Sequence, residues 1–139
     1  MTRRDPELIA VLEALGCQVA INERADEGMG TSIAVGVTAT PNASGWLIAL
    51  GDMPSICVDT FAAVADALRR GARIAVPALA ARHGHPVGFS AMYGARLRAL
   101  TGDSGAREIL KSDANFIEEI GVNDAGIFAD IDTPSDLKL

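Results

Sequence analysis

The sequence predicts an α/β protein with a doubly wound, mainly parallel sheet that carries helices on both faces. Three observations support this class. Helical patterns alternate with short apolar runs along the chain, the run 46–50 has no polar break, and Gly or Pro closes most segments. A run that does not alternate fits a strand buried on both faces, and strands alternating with helices form parallel sheets.

Composition limits the possible classes. The 139 residues suit a single domain, 1–139, and 49% of them are apolar, which is enough for a core. A net charge of -6 argues against a non-specific nucleic-acid surface. The two cysteines show no framework spacing, which favours a reduced, cytoplasmic setting. We recognise no signal peptide and no apolar run as long as a membrane span.

The first half of the chain predicts helices and strands in alternation. Asp5 caps a helix over 5–16, and a strand follows over 17–22. The helix is amphipathic, with Leu8, Ile9, Leu12 and Leu15 recurring at helical spacing. The run 46–50 is predicted to be the central strand, and the next helix occupies 59–70.

The second half continues this alternation. Strands are predicted over 73–77, 86–90, 115–122 and the first part of 127–132. A helix over 91–100 is predicted with Met92, Leu97 and Leu100 as its apolar residues, and another begins in the loop 102–107. At the end of the chain, Thr133 and Asp136 form a capping box, with Pro134 in the first helical position.

Carboxylates follow two of the predicted strands. Asp52 is the first charged residue after the central strand, at the edge where open α/β sheets bind ligands. Asp130 and Asp132 end the last strand, and carboxylates that meet at such an edge can hold Mg²⁺. The structural alternative makes Asp52 a turn residue before Pro54 and Asp132 a cap beside Thr133.

A glycine-bearing stretch, 28–32, precedes a helix of small residues. Free N–H groups at such a helix start attract anions such as phosphate. The stretch is neither a P-loop nor a complete dinucleotide fingerprint, because Ile33 stands where the third Gly belongs. A plain tight turn before a helix is the competing interpretation.

Two other patterns carry less weight. His83 and His85 suggest a metal pair, but no third ligand of the right type lies nearby, so a loop leading into strand 86–90 is preferred. The chain has no Gly-x-Ser-x-Gly, and neither cysteine has a recognisable reactive context.

Five motifs occur in order and together resemble the molybdenum cofactor nucleotidyltransferases, the MobA/MocA-like group. They span residues 28–33, 50–54, 82–87, 102–107 and 130–137. Gly-Asp-Met-Pro and Gly-His-Pro-Val are most similar to the cytidylyltransferase branch. The resemblance implies the Rossmann-like fold of nucleotide-diphospho-sugar transferases.

The resemblance also implies a reaction. A terminal phosphate of molybdopterin attacks the α-phosphate of CTP, or of GTP in the sister branch, and pyrophosphate leaves. Asp52 and Asp132 would be the catalytic Mg²⁺ ligands. The nucleotide would lie against Gly28, Gly30 and Ser32. The pterin or closing side would hold Arg82, His85 and Arg107. A molybdoenzyme is the implied protein partner, and binding to nucleic acid or to a membrane is not expected.

The chain departs from this family at its beginning. The family opens with a strand and a loop of the type Leu-Ala-Ala-Gly-x-Ser-x-Arg-Met-Gly, followed by a lysine, and that loop grips the triphosphate. It is absent here, so we expect a strand-loop-helix unit, on the order of 30 residues or more, to be missing by N-terminal truncation. An exposed sheet edge would then favour homo-oligomers.

Enzymatic activity of this chain is therefore left open. One alternative is a non-catalytic nucleotide-binding, pterin-binding or partner-docking remnant of the family. Another is a nucleotidyltransferase that acts on a different phosphorylated acceptor.

Overall fold

The computed structural model describes residues 5–137, and it confirms the α/β class. Its helices and strands, in chain order, are α1 (Pro6–Ala14), α2 (Met29–Thr38), β1 (Gly45–Ile48), α3 (Val58–Arg69), β2 (Ile74–Leu79), β3 (Arg82–His83), β4 (Val87–Ser90), α4 (Gly94–Arg98), α5 (Arg107–Ser112) and β5 (Ile117–Gly121). Short 3₁₀ turns lie at Ala25–Glu27, Ala91–Tyr93, Ala114–Phe116, Ala125–Phe128 and Pro134–Asp136. None of the described helices has the length and apolar character needed to cross a bilayer.

The described residues form two compact units. The first contains residues 5–43 and 93–114, and the second contains residues 44–92 and 115–137. All five strands belong to the second unit, whereas the regular elements of the first are helices.

The second unit is organised around β2 and β4. β4 runs antiparallel to both β1 and β2, and β5 runs parallel to β2. β1, β2 and β5 therefore point in the same direction, while β3 forms an antiparallel hairpin with β2. Helix α3 packs on this sheet through the fully buried Val64 and Ala67, which lie against Ala75 of β2.

The first unit is stabilised by buried apolar residues of α2, α4 and α5 and, among other polar contacts, by a network around Asp113. The buried apolar residues are Ile33, Val37, Leu97 and Ile109. In the network, Asp113 Oδ2 accepts hydrogen bonds of 2.8 Å from Arg96 Nη1 and from the buried Tyr93 hydroxyl. The Arg96 guanidinium, then the hydroxyls of Tyr93 and Ser112, hold the pKa of Asp113 at about 2.

The helix predicted over 5–16 is present as α1, and none of the residues Pro6–Ala14 is fully buried. Asp5 Oδ1 accepts the N–H groups of Glu7 and Leu8, both at 3.1 Å, as expected of a cap. Leu8 and Leu15, two of the apolar residues at helical spacing, are 41% and 73% exposed, and Met92 of the predicted helix over 91–100 is 61% exposed. Helical spacing identifies residues that share one side of a helix, but burial also requires a surface to cover that side.

Two predicted strands are wrong. In 17–22 only Ile21 makes an isolated bridge, because a strand exists only where a neighbouring strand completes its ladder. The segment around Ile127 forms the 3₁₀ turn Ala125–Phe128, because the Asp124 side chain accepts the Gly126 N–H at 3.0 Å and turns the chain.

The run 46–50 is a strand but does not have its predicted position. β1 covers Gly45–Ile48, is half-buried, and lies at one edge of the described sheet, paired with β4. Its apolar residues without a polar break indicated burial on both faces, whereas the observed position depends on which strands lie beside it.

Candidate functional site

Three carboxylates of the second unit converge, and we call Asp52, Asp130 and Asp132 the carboxylate cluster. One oxygen of each lies within 4.8 Å of the others, and all three residues are exposed. Asp52 follows β1, and the other two follow the turn Ala125–Phe128. The two segments are tied together by the main chain, because the Ile131 N–H donates to the Asp52 carbonyl at 2.7 Å.

The structural alternative holds for the main chain at Asp52, which lies in a turn closed by the Met53 N–H and the Leu50 carbonyl at 3.2 Å, but it gives the three carboxylates no bonding partner among the described residues. Within residues 5–137, none of the three carboxylates accepts a hydrogen bond or joins an ion pair. The predicted capping box is confirmed, and its acceptor is Asp136 Oδ2, which takes the Thr133 N–H at 2.9 Å and the Asp132 N–H at 3.2 Å. The Asp132 carboxylate is therefore left outside the cap.

The donor set of the carboxylate cluster fits a hard divalent cation. Mg²⁺ and similar ions take oxygen ligands at about 2.0–2.6 Å, so oxygens that share one ion lie within about 5 Å of each other. Three neighbouring negative charges also repel one another, and a bound cation removes that repulsion. Asp130, which the sequence offered beside Asp132 as a carboxylate after a predicted strand, joins the pair of ligands that the family resemblance implies.

A cavity of about 240 Å³ lies beside the carboxylate cluster, with Asp130 in its wall. Arg82 and His85, two predicted substrate-side residues, line the same cavity. The Arg82 guanidinium lies over the Phe128 ring, 4.3 Å from its centroid, which orients the charge without neutralising it. The remaining wall is largely apolar.

The two histidines have different environments. His85 is half-buried, and its backbone N–H donates to the Ile127 carbonyl at 3.1 Å. Burial lowers the pKa of His85, although the negative charge of Asp52 opposes that shift, so the imidazole is neutral at pH 7. His83 Nε2 lies 2.8 Å from Glu119 Oε1 on the exposed surface. The weak metal-pair interpretation therefore gains no support from the described residues.

In the first unit, the predicted glycine-bearing start of α2 is confirmed. Gly28 precedes the helix at a φ of +114°, a conformation that favours glycine. The Gly30 N–H donates to the Gly102 carbonyl at 2.8 Å. A Cβ on Gly28 would collide with the Asp103 carboxylate and the Gly102 carbonyl, and a Cβ on Gly30 would collide with the backbone of 101–102. The absence of a side chain at Gly28 and Gly30 therefore allows the loop 101–103 to approach α2 closely. The protein itself thus occupies one donor of this helix start.

Asn22, which was not recognised from the sequence, is a buried amide that contacts the first turn of α2. Its Nδ2 donates to Thr31 Oγ1 and to Ser32 Oγ, both at 2.9 Å. The only sequence signal was a polar residue that ended the apolar run of 19–21. Arg107 is exposed at the first position of α5. A cavity of about 450 Å³ borders Asn22 and Thr31, whereas Gly28 and Gly30 are not part of its wall.

Comparisons with known proteins place the chain in a family. The MobA-like NTP transferase domain family matches residues 1–117. Rv0371c from Mycobacterium tuberculosis H37Rv is 30% identical with a TM-score of 0.66, and the match covers 77% of this chain and 56% of that one. Its homolog from Mycobacterium sp. strain JC1 is 31% identical with a TM-score of 0.66, and the match covers 86% of this chain and 57% of the homolog. The chain thus spans little more than half the length of these mycobacterial proteins.

Two further structures are similar. One is Rv0371c in complex with manganese, at 30% identity and a TM-score of 0.65, covering 76% of this chain and 56% of that one. The other is molybdopterin-guanine dinucleotide biosynthesis protein A from Archaeoglobus fulgidus, at 15% identity and a TM-score of 0.60. The match covers 97% of this chain and 72% of that one, and it shows a shared fold. A search of curated proteins found no match. The nucleotide-diphospho-sugar transferase fold is confirmed, and the chain belongs to the MobA-like NTP transferase domain family.

Proposed function

We propose that this protein is a metal-dependent nucleotidyltransferase domain of molybdenum cofactor biosynthesis. It transfers CMP, or GMP, from the nucleoside triphosphate to the terminal phosphate of molybdopterin and releases pyrophosphate. Membership of the MobA-like family supports the reaction class. The observation that carries the proposal is the carboxylate cluster, whose three oxygens lie within 4.8 Å of one another without protein partners among the described residues.

The carboxylate cluster holds Mg²⁺ in this proposal. When bound, the ion neutralises charge that develops on the phosphates and aligns the attacking and leaving oxygens. The manganese complex of the 30%-identical Rv0371c supports the use of a divalent cation. Asp52 and Asp132 are the ligands that the family resemblance implies, and the proximity of an Asp130 oxygen to theirs supports Asp130 as a third ligand.

The cavity beside the carboxylate cluster is the substrate side in this proposal. Arg82 brings a permanent positive charge to the wall that it shares with Asp130, and this charge attracts the anionic acceptor. His85, which is neutral at pH 7, orients the acceptor by hydrogen bonding without adding charge.

The nucleotide lies against Gly28, Gly30 and Ser32 in this proposal, with Arg107 on the closing side. Ser32 Oγ accepts from Asn22, which orients the hydroxyl and leaves its hydrogen to donate to a phosphate or a ribose.

A second candidate is a binding module without turnover. It is favoured by the Gly30 N–H, which the Gly102 carbonyl already occupies at 2.8 Å, so the helix start offers fewer donors to a triphosphate. Another phosphorylated acceptor would keep the enzyme class and change only the occupant of the cavity.

Metal binding is the first test. Calorimetry with Mn²⁺ should show binding by the wild-type chain and dissociation constants at least about 10-fold higher for Asp52→Asn, Asp130→Asn and Asp132→Asn. Asp66→Asn is the control, because it removes an exposed carboxylate that pairs with Arg69 at 2.8 Å. A wild-type chain that binds no divalent cation would contradict the proposal.

Turnover separates the two candidates. Pyrophosphate release should be measured with CTP or GTP, Mg²⁺ and molybdopterin, and it should stop in Asp52→Asn while circular dichroism stays unchanged. Metal-dependent nucleotide binding without pyrophosphate release would instead support the binding module. Release that requires a different phosphorylated acceptor would reassign the substrate but keep the reaction class.

A further inference from the structure

We infer that Asp124 is the positioning residue that brings the two ligand-bearing segments of the carboxylate cluster together. The inference rests on the proposed metal function and concerns a residue that contacts none of the three carboxylates by hydrogen bond. Asp124 is only 7% exposed, and a buried carboxylate persists only where donors satisfy it.

The donors come from both segments. Asp124 Oδ2 accepts the Cys57 N–H at 2.9 Å and the Thr60 hydroxyl at 2.6 Å, and Asp124 Oδ1 accepts the Gly126 N–H at 3.0 Å. Burial alone would raise the pKa of Asp124, but these hydrogen bonds outweigh it and hold the pKa below its ordinary value. Asp124 is therefore ionised at neutral pH, and both of its oxygens are engaged.

Asp124 also caps α3 from a distance in sequence. The cap residue of that helix, Cys57, makes no side-chain capping bond, and the carboxylate that accepts its N–H lies 67 residues away. A negative charge at a helix N-terminus is favourable, because unsatisfied N–H groups and the helix dipole both attract it. The start of α3 and the turn after Asp124 are thereby joined through one side chain.

The geometry of these segments leads to the carboxylate cluster. Residues 53–57 connect Asp52 to α3, and residues 125–129 connect Asp124 to Asp130. The backbone of Gly126 packs directly on the Ser55 carbonyl, with no room for a Cβ. Farther along, the Ile131 N–H donates to the Asp52 carbonyl at 2.7 Å. Asp124, Gly126 and Ile131 therefore fasten the two segments at three successive points.

Loss of the first fastening should separate the ligands without removing any of them. We expect Asp124→Asn and Thr60→Val to raise the Mn²⁺ dissociation constant about 10-fold, the scale seen when supporting partners of metal ligands are changed. Thr60→Ser keeps the hydroxyl and should restore wild-type affinity. Val64→Ala is the control for general destabilisation, because it opens a cavity in the fully buried core of α3 and should leave the affinity unchanged.

A second measurement does not need a metal. Hydrogen exchange of the Ile131 amide reports the bond between the two segments, and Asp124→Asn should accelerate it by about 10-fold in the folded protein. If the wild-type chain binds no Mn²⁺ but this acceleration occurs, the proposed metal function fails and the positioning role stands. If Asp124→Asn is folded and retains wild-type Mn²⁺ affinity and Ile131 protection, the inference is overturned. Equal losses in Val64→Ala would also overturn it.

Discussion

The sequence indicated both the carboxylate cluster and the start of α2 as candidate binding sites. Their polar groups differ in whether the protein itself already supplies a hydrogen-bond or ionic partner. In the cluster, three charged groups within 4.8 Å have no protein partner in the described part of the chain. At the start of α2, the Gly30 N–H is bonded to the Gly102 carbonyl, and Asp103 crowds Gly28.

This difference indicates at which site a ligand has to displace a hydrogen bond made within the protein. Redirecting a group that the protein already satisfies requires breaking an existing hydrogen bond, which costs about 1 kcal/mol or more if a donor is left unpaired. A ligand for the carboxylate cluster instead relieves repulsion that is already present. We therefore expect metal binding to be the stronger activity of this chain and nucleotide binding at α2 the weaker one.

The largest effect that tests this contrast is on stability. Gly28→Ala should lower the free energy of unfolding by about 1–3 kcal/mol from backbone strain and by about 1–3 kcal/mol from overpacking against 102–103. Gly51→Ala, beside the carboxylate cluster, meets nothing within 4 Å and should change it by less than about 1 kcal/mol. Urea denaturation measures both, and equal effects would show that the α2 start is not closed by its own loop.

Asp113 is a carboxylate with protein donors, unlike those of the carboxylate cluster, and its contribution to the free energy of unfolding should depend on pH. The folded pKa of Asp113, about 2, lies below its ordinary 3.8, so the stability that it contributes is present above about pH 4 and is lost as the pH falls through about 2. Asp113→Asn should be less stable than wild type at pH 5 and show a smaller loss below pH 4. Parallel curves for the two proteins would remove Asp113 as the cause.

Nucleotide affinity should respond to the acidic group at the α2 start. Asp103→Ala should tighten CTP binding by about 2–5-fold, because one negative charge near the incoming phosphates is removed, while the same change slightly destabilises α2. Calorimetry in the presence of Mg²⁺ measures the affinity. Glu108→Gln is the control, as an exposed carboxylate of the same unit. Weaker CTP binding by Asp103→Ala would mean that the carboxylate does not oppose the nucleotide.

The smallest effect is expected at the carboxylate cluster without metal. Asp52→Asn should slightly raise the melting temperature of the metal-free protein, because it reduces repulsion among three carboxylates. Saturating Mn²⁺ should raise the melting temperature of the wild type and not of the variant. A melting temperature that falls in metal-free Asp52→Asn would indicate a structural role for the side chain.

Local signals succeeded where the physics is local. The Asp5 cap and the capping box of Thr133 with Asp136 depend on bonds within a few residues, and both were predicted. The strands predicted over 17–22 and the first part of 127–132 were wrong, because a strand also needs a ladder partner that a single stretch of sequence does not reveal.

By itself, the sequence determined the α/β class, the ordered motifs of the MobA-like family and the carboxylates Asp52, Asp130 and Asp132 at the ends of predicted strands. Only the tertiary structure decided that the oxygens of all three meet and that Asp124 joins the start of α3 to the turn before Asp130. The physical reason is separation along the chain. A cap or turn closes through neighbouring residues, whereas these groups meet only after β1, α3 and the sheet have brought distant segments together.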